Sequence, residues 1–226
     1  MLLRMIKDLV SAAPGREAEA PAPDQRAIEA RLEALAGDIE PIQGWLHPDT
    51  GKLLYHLARA APTASIVELG SWRGRSTAWL ANSVRDRGEG RVYAVDTWKG
   101  TGNEEVHRQM LAGYAEGQLY REFIENLRSR NLLELVEPIR ADTVTAAHEW
   151  DPARKIGLLF IDADHDYAAV RRDFEYWSPH VAIGGTIVFD DVTTWWGPSR
   201  LVSELPKWYN LALVRPNIWV VVKQGE

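Results

Sequence analysis

The chain has 226 residues, enough for one sizeable hydrophobic core with an N-terminal appendage and too few for two full α/β domains. Hydrophobic residues at 46% and charged residues at 26% fit a globular protein, and no apolar run approaches the roughly 20 residues that span a bilayer, so no membrane partner is expected. A formal net charge of −6 opposes a nucleic-acid partner, and the absence of cysteine excludes disulfides, thiolate nucleophiles and cysteine metal sites.

Residues 1–10 alternate apolar with charged side chains as a short first helix and lack the continuous apolar stretch of a secretory signal, so a cytoplasmic location is expected. Residues 11–24, rich in Ala, Pro and Glu, read as a connector. Ile28, Leu32 and Leu35 predict a helix over 24–35 behind an Asp24 cap, and Leu53, Leu54 and Leu57 predict another over 50–60, both packing at the edge of the main domain. Strands are then predicted at 65–69, 91–95, 133–139, 156–161 and 186–189, and helices at 76–84, 119–128, 168–177 and 199–205. Strand and helix in turn mean βαβ units and a mainly parallel sheet. The tail differs, because the strand-like runs 211–214 and 218–222 are joined by only Arg215, Pro216 and Asn217. Such a tight connection requires an antiparallel pair and one reversed strand near that edge.

Three segments carry chemistry. In the first, Val67-Glu68-Leu69-Gly70-Ser71-Trp72-Arg73-Gly74-Arg75-Ser76-Thr77, a buried strand turns into a helix. Gly70 and Gly74 permit a sharp turn and close approach of a ligand to the helix N-terminus. The spacing is G-x-x-x-G rather than the G-x-G-x-x-G of dinucleotide folds, and the acidic residue before it suits a cationic or zwitterionic ligand. The second is Asp96, which ends the next strand where a carboxylate can accept from both hydroxyls of a ribose; Asp142, after the following strand, is either an adenine-side contact or a helix N-cap.

The third joins Asp162-Ala163-Asp164-His165-Asp166-Tyr167 to Asp190-Asp191-Val192, both ending apolar strands. If those strands are parallel neighbours, Asp162, Asp190 and Asp191 converge at the mouth of the sheet as a hard oxygen site suited to Mg²⁺ or Mn²⁺. Asp166, and in part Asp164, read equally as caps of the next helix. His165 is either a helix-start residue or a catalytic base. Trp195 and Trp196 are a candidate lid or stacking platform, or packing, and 100–117 is a second candidate lid or an ordinary surface loop. Ten tryptophans, against about three ordinarily expected, fit an aromatic-lined site, a core or a homo-oligomer interface.

These segments resemble the class I S-adenosylmethionine-dependent methyltransferases, and more narrowly the branch of macrocin and mycinamicin sugar O-methyltransferases and cephalosporin hydroxylase-like proteins, over about 44–222. The resemblance implies an α/β fold, Rossmann-like and doubly wound, whose seven-stranded, mostly parallel sheet carries an antiparallel C-terminal hairpin. Residues 1–60 then form an N-terminal helical extension and 61–226 the methyltransferase domain. It also implies S-adenosylmethionine contacts at Glu68, Gly70, Ser71, Ser76, Asp96 and Asp142, metal ligands at Asp162, Asp190 and Asp191, and His165 as base. Sugar methyltransferases of this type often carry Glu-Asp where this chain has Asp190-Asp191, which leaves the metal and its geometry open. The expected reaction is metal-assisted O-methylation of a sugar or glycosylated small molecule. A catechol or phenol acceptor and a non-catalytic cofactor-binding protein are the alternatives, with a nicotinamide dehydrogenase weaker for want of its glycine motif.

Overall fold

In a computed structural model of the chain, residues 25–100 and 105–225 are described. The expected first helix over 1–10, the connector over 11–24 and the Asp24 cap lie outside them. Seven strands among the described residues, β1 (Ser65–Leu69), β2 (Arg91–Asp96), β3 (Val136–Arg140), β4 (Ile156–Ile161), β5 (Val181–Phe189), β6 (Tyr209–Arg215) and β7 (Ile218–Lys223), form one sheet in the order β3-β2-β1-β4-β5-β7-β6. Strands β1 to β5 run parallel, and β7 is antiparallel to both β5 and β6, as the three-residue joint required.

The helices are α1 (Gln25–Ile39), α2 (Pro48–Ala60), α3 (Arg75–Arg87), α4 (Glu105–Leu111), α5 (Gln118–Arg128), α6 (Thr143–Glu149), α7 (Tyr167–Trp177) and α8 (Trp196–Ser203). Alternate strand residues sort them into two layers. Ile66, Leu158, Phe160 and Val188 pack with α1, α2, α3 and α5, whereas Val67, Leu159, Ile161 and Ile187 pack with α6, α7 and α8. With both faces covered, β1 and β4 are buried at every position, which is why β4 reads as a continuous apolar run and β1 as a short one that also buries Ser65 and Glu68. Each such aliphatic side chain contributes about 1.5–3 kcal/mol on burial. No helix of the described residues is long and apolar enough to cross a membrane.

Several boundaries differ from expectation. Helix α1 continues to Ile39 because Leu32, Leu35 and Ile39 form one buried stripe. Helices α1 and α2 cover a face of the sheet rather than its edge, and Leu53, Leu54 and Leu57 share a core with Ile66 and Phe160. Residues 133–135 form a 3₁₀ turn, with Leu135 N donating to Leu132 O at 3.0 Å, so β3 starts only at Val136. Strand β5 starts at Val181; a register shift against β4 accommodates Gly184 and Gly185, which hid its first half. Helix α8 lies three residues earlier at its start than expected and ends before Pro206, whose ring disfavours helix at the residue ahead of it. Helix α4 was not anticipated, and α6 only through the reading of Asp142 as an N-cap.

Candidate active site

The chain runs from β1 outward to β3 and then returns to place β4 on the other side of β1, so the loops after β1 and β4 diverge and leave a crevice at the strands' carboxyl ends. There lies a cavity of about 770 Å³. Every expected site residue except Glu68 lines it: Gly70, Ser71, Ser76, Asp96, Asp142, Asp162, His165, Asp190 and Asp191.

The turn after β1 is built by close approach. Gly70 has φ 85°, its N–H donates to Val95 O at 2.9 Å, and a Cβ there would stand 2.1 Å from Asp162 O. No side chain fits. Glu68 lies beneath the turn, wholly buried; its Oε2 accepts from Ser71 Oγ at 2.7 Å and from Thr77 Oγ1, while Oε1 makes no hydrogen bond. Burial pushes its carboxyl up to about 7, against the hydroxyls of Ser76, Thr77 and Ser71.

Asp96 ends β2 and faces the cavity, but its oxygens also hold the turn together. Oδ2 accepts from Ser71 N and Trp72 N, each at 2.9 Å, and Oδ1 accepts from Trp98 N at 2.6 Å. Burial raises its pKa and these backbone donors oppose the rise. Trp72 and Trp98 adopt left-handed backbone, φ 47° and 52°, strain that the shared carboxylate maintains. Asp142 is the N-cap of α6, accepting from Thr145 N at 2.9 Å and Thr145 Oγ1 at 2.6 Å, and it lines the cavity as well.

Strands β4 and β5 are parallel neighbours and bring the acids together. Donor atoms of Asp162, His165 and Asp191 all lie within 4.8 Å of one another. Asp190 stands beside this trio rather than in it; its Oδ1 accepts from Asp191 N at 2.7 Å and Asn217 Nδ2 at 3.3 Å. Burial and the charges of Asp190 and Asp191 push Asp162 well above the usual carboxylate range, and burial with the Asp191 charge pushes Asp190 up to about 7. Asp191 is also partly buried, yet the hydrogen bonds of His165 and Asn217 hold its carboxyl below the usual range. His165 Nε2 reaches Asp191 Oδ2 at 2.6 Å. Such mutually repelling carboxylates in a partly dry site are the donor set a hard divalent cation would neutralise, so the residues fit one.

Of the expected lids, Trp195 stacks on His165, while Trp196 is 66% exposed and leans on Tyr167. The stretch 100–117 contains α4, whose His107 stacks on Trp72 and contacts Trp45; residues 101–104 lie outside the described ones. Asp166 caps α7 through Ala168 N, and Asp164 accepts from Asp166 N, each at 2.9 Å.

Among the lining residues missed from sequence are Asn217 and Asp173. Asn217 bonds both acids from the β6–β7 turn, and Asp173, only 3% exposed on α7, accepts from Thr143 Oγ1. Turn-forming Pro216-Asn217 was the one signal for Asn217, and none distinguished Asp173 from a solvated helical acid.

The chain is 29% identical over 188 residues to the uncharacterised protein y4gI of Sinorhizobium fredii, covering 80% of this chain and 18% of that protein; this chain therefore spans under a fifth of that relative's length. Among solved structures it is similar to the O-methyltransferase TomG from Streptomyces achromogenes, solved with S-adenosylmethionine, with TM-score 0.58, 15% identity, and 90% and 92% of the two chains covered. The calicheamicin methyltransferase CalS11 gives TM-score 0.59 at 16% identity, covering 100% of this chain and 92% of its own. These similarities bear out the doubly wound α/β fold. The family described as methyltransferase domain matches residues 67–192, more than half of the sequence and the whole span from the glycine turn to the acid pair, and the chain belongs to that family.

Proposed function

We propose that this chain transfers the methyl group of S-adenosylmethionine to a hydroxyl oxygen of a sugar or glycosylated small molecule, assisted by Mg²⁺ or Mn²⁺. One observation carries the reading: the glycine turn with Asp96 and the acidic group with His165 open into the same cavity. Its volume of about 770 Å³ lies within the roughly 300–1,000 Å³ usual for small-molecule sites. Similarity to TomG, solved with that cofactor, and to CalS11, a TDP-rhamnose 3'-O-methyltransferase, supports the choice of cofactor and acceptor class.

S-adenosylmethionine would supply an activated methyl group for transfer to the acceptor oxygen. A divalent cation would be held by Asp162 and Asp191, with Asp190 beside them as the third carboxylate, and would supply Lewis acidity that lowers the pKa of a bound hydroxyl. Gly70, Ser71, Ser76, Asp96 and Asp142, which line the cavity, would contact the cofactor, with the buried carboxyl of Glu68 beneath the turn. His165 Nε2 bonds the Asp191 carboxylate 2.6 Å away, so the acceptor's proton would go to the other ring nitrogen, Nδ1, and that carboxylate would stabilise the imidazolium so formed. Trp195, 41% exposed, offers an indole face to a sugar ring.

Calorimetric titration with S-adenosylmethionine tests the cofactor without knowledge of the acceptor. One-site micromolar binding that weakens in Asp96→Ala is expected; no binding to folded protein at millimolar ligand overturns the reading. Transfer of labelled methyl to sugar and phenolic acceptors, with Mg²⁺ and with chelator, tests the rest. Asp191→Ala is expected to abolish metal-stimulated turnover and leave cofactor binding intact. Unchanged turnover in that variant removes the metal from the mechanism.

A further inference from the structure

We infer that Asn217, in the turn between β6 and β7, is a positioning residue that fixes the acid pair for cation binding, an inference that rests on the metal part of the proposed function. Its side chain spends its hydrogen-bonding capacity on one loop. Nδ2 donates to Asp191 Oδ1 at 2.8 Å and Asp190 Oδ1 at 3.3 Å. Oδ1 accepts from Thr193 N and Thr194 N at 3.2 and 3.1 Å and from the hydroxyls of Thr193 and Thr194 at 3.2 and 2.8 Å. The backbone joins in, with Val192 N donating to Asn217 O at 3.2 Å. Asn217 also lines the cavity itself.

The arrangement addresses a specific difficulty. Asp191 has left-handed backbone, φ 61°, so the loop that carries both acids is held in a conformation it does not favour. Adjacent carboxylates repel, and a donor placed between them draws both to one side. Asn217 supplies that donor while its oxygen anchors the next two residues, which lead to Trp195. Asparagine suits the place, because the turn requires φ 65° and Asn tolerates that region better than most residues. An amide donates without adding charge.

Two variants separate this role from simple closure of the turn. Asn217→Gly keeps the left-handed backbone without strain and deletes only the side chain. Asn217→Asp keeps an acceptor for Thr193 and Thr194 and replaces the donated bonds with repulsion. Binding of Mn²⁺ is read from the free-ion paramagnetic resonance signal, beside calorimetry with S-adenosylmethionine and thermal melting. Asn217→Gly is expected to weaken Mn²⁺ about 10- to 100-fold with cofactor affinity unchanged. Asn217→Asp is expected to melt below wild type without metal, and saturating Mn²⁺ to close most of that gap. Wild-type Mn²⁺ affinity in Asn217→Gly, or a metal-free melting temperature in Asn217→Asp equal to wild type, overturns the inference alone. Failure of the wild-type protein to bind Mn²⁺ overturns it together with the metal part of the proposed function.

Discussion

The imidazole of His165 lies flat on the indole of Trp195, ring centroids 4.6 Å apart and planes 5° from parallel, while Nε2 points at Asp191. The stack fixes the ring's tilt and the carboxylate fixes its rotation, so a proton acceptor stands ready with little freedom to lose. Trp195→Ala removes an aromatic contact of about 0.5–1.5 kcal/mol, and turnover is expected to fall roughly two- to tenfold. His165→Ala removes the base itself, and a fall of about 10²- to 10⁴-fold in kcat is expected. Steady-state methyl transfer measures both, with S-adenosylmethionine affinity as the control. An equal loss of cofactor affinity in Trp195→Ala would mean that the indole belongs to the cofactor pocket instead.

Two glycines with nearly the same φ make a useful comparison. Gly88, φ 81°, ends α3 with nothing within 4 Å of the place a Cβ would take, whereas the same atom on Gly70, φ 85°, would meet Asp162 O at 2.1 Å. Gly88→Ala is therefore expected to lose only the left-handed strain of about 1–2 kcal/mol. Gly70→Ala adds a backbone collision that neither β1 nor β4 can relieve, and a loss of more than about 4 kcal/mol is expected, together with cofactor binding. Thermal melting of the pair decides it. Similar melting temperatures would mean that the turn after β1 has room to relax.

The same comparison shows what the sequence makes legible. Glycine at 70, directly after a buried strand, announces a turn that backbone chemistry demands, and that signal is local. Asp166 likewise reads directly as a cap, because its bond to Ala168 N spans two residues. What stays hidden depends on distant partners. Asn217 meets Asp191 across 26 residues, and nothing in its own neighbourhood signals that contact. Leu133 and Leu135 alternate as a strand would, yet the turn that closes on Leu132 leaves them outside the sheet. Acids at the ends of β4 and β5 are visible in the sequence, but only side-chain geometry brings His165 into the trio in place of Asp190.

Buried carboxyls give the metal-free, cofactor-free protein a pH dependence of defined sign. Burial pushes Asp173 up to about 7 from an ordinary 3.8, so between those values the folded chain holds a proton that the unfolded chain has released. That contribution is fully present at low pH and is lost as pH rises toward and through about 7. His56 and His180, lowered mainly by burial, act in the opposite sense up to their ordinary 6.5, so wild-type melting alone does not isolate the effect. The difference between Asp173→Asn and wild type does. The variant's melting temperature relative to wild type is expected to climb from pH 5 and to level off above about pH 7. A flat difference would mean that Asp173 ionises in the folded state at its ordinary pH, with Thr143 and nearby water sufficient to solvate it.

Asp142 and Asp96 both combine a structural bond with a place in the cavity, and amide substitutions separate the two roles. Asn caps a helix about as well as Asp, so Asp142→Asn is expected to keep α6 and shift stability by less than about 0.5 kcal/mol. Any loss of S-adenosylmethionine affinity in that variant then reports direct contact with the ligand. Asp96 differs, because its carboxylate accepts from Ser71 N, Trp72 N and Trp98 N at once. An amide there turns an NH₂ group against at least one backbone donor, leaving it buried without a partner at about 1–3 kcal/mol. Asp96→Asn is expected to lose both stability and cofactor affinity, measured by melting and calorimetry. If it loses affinity while melting like wild type, the backbone donors have found other acceptors and Asp96 acts on the ligand directly.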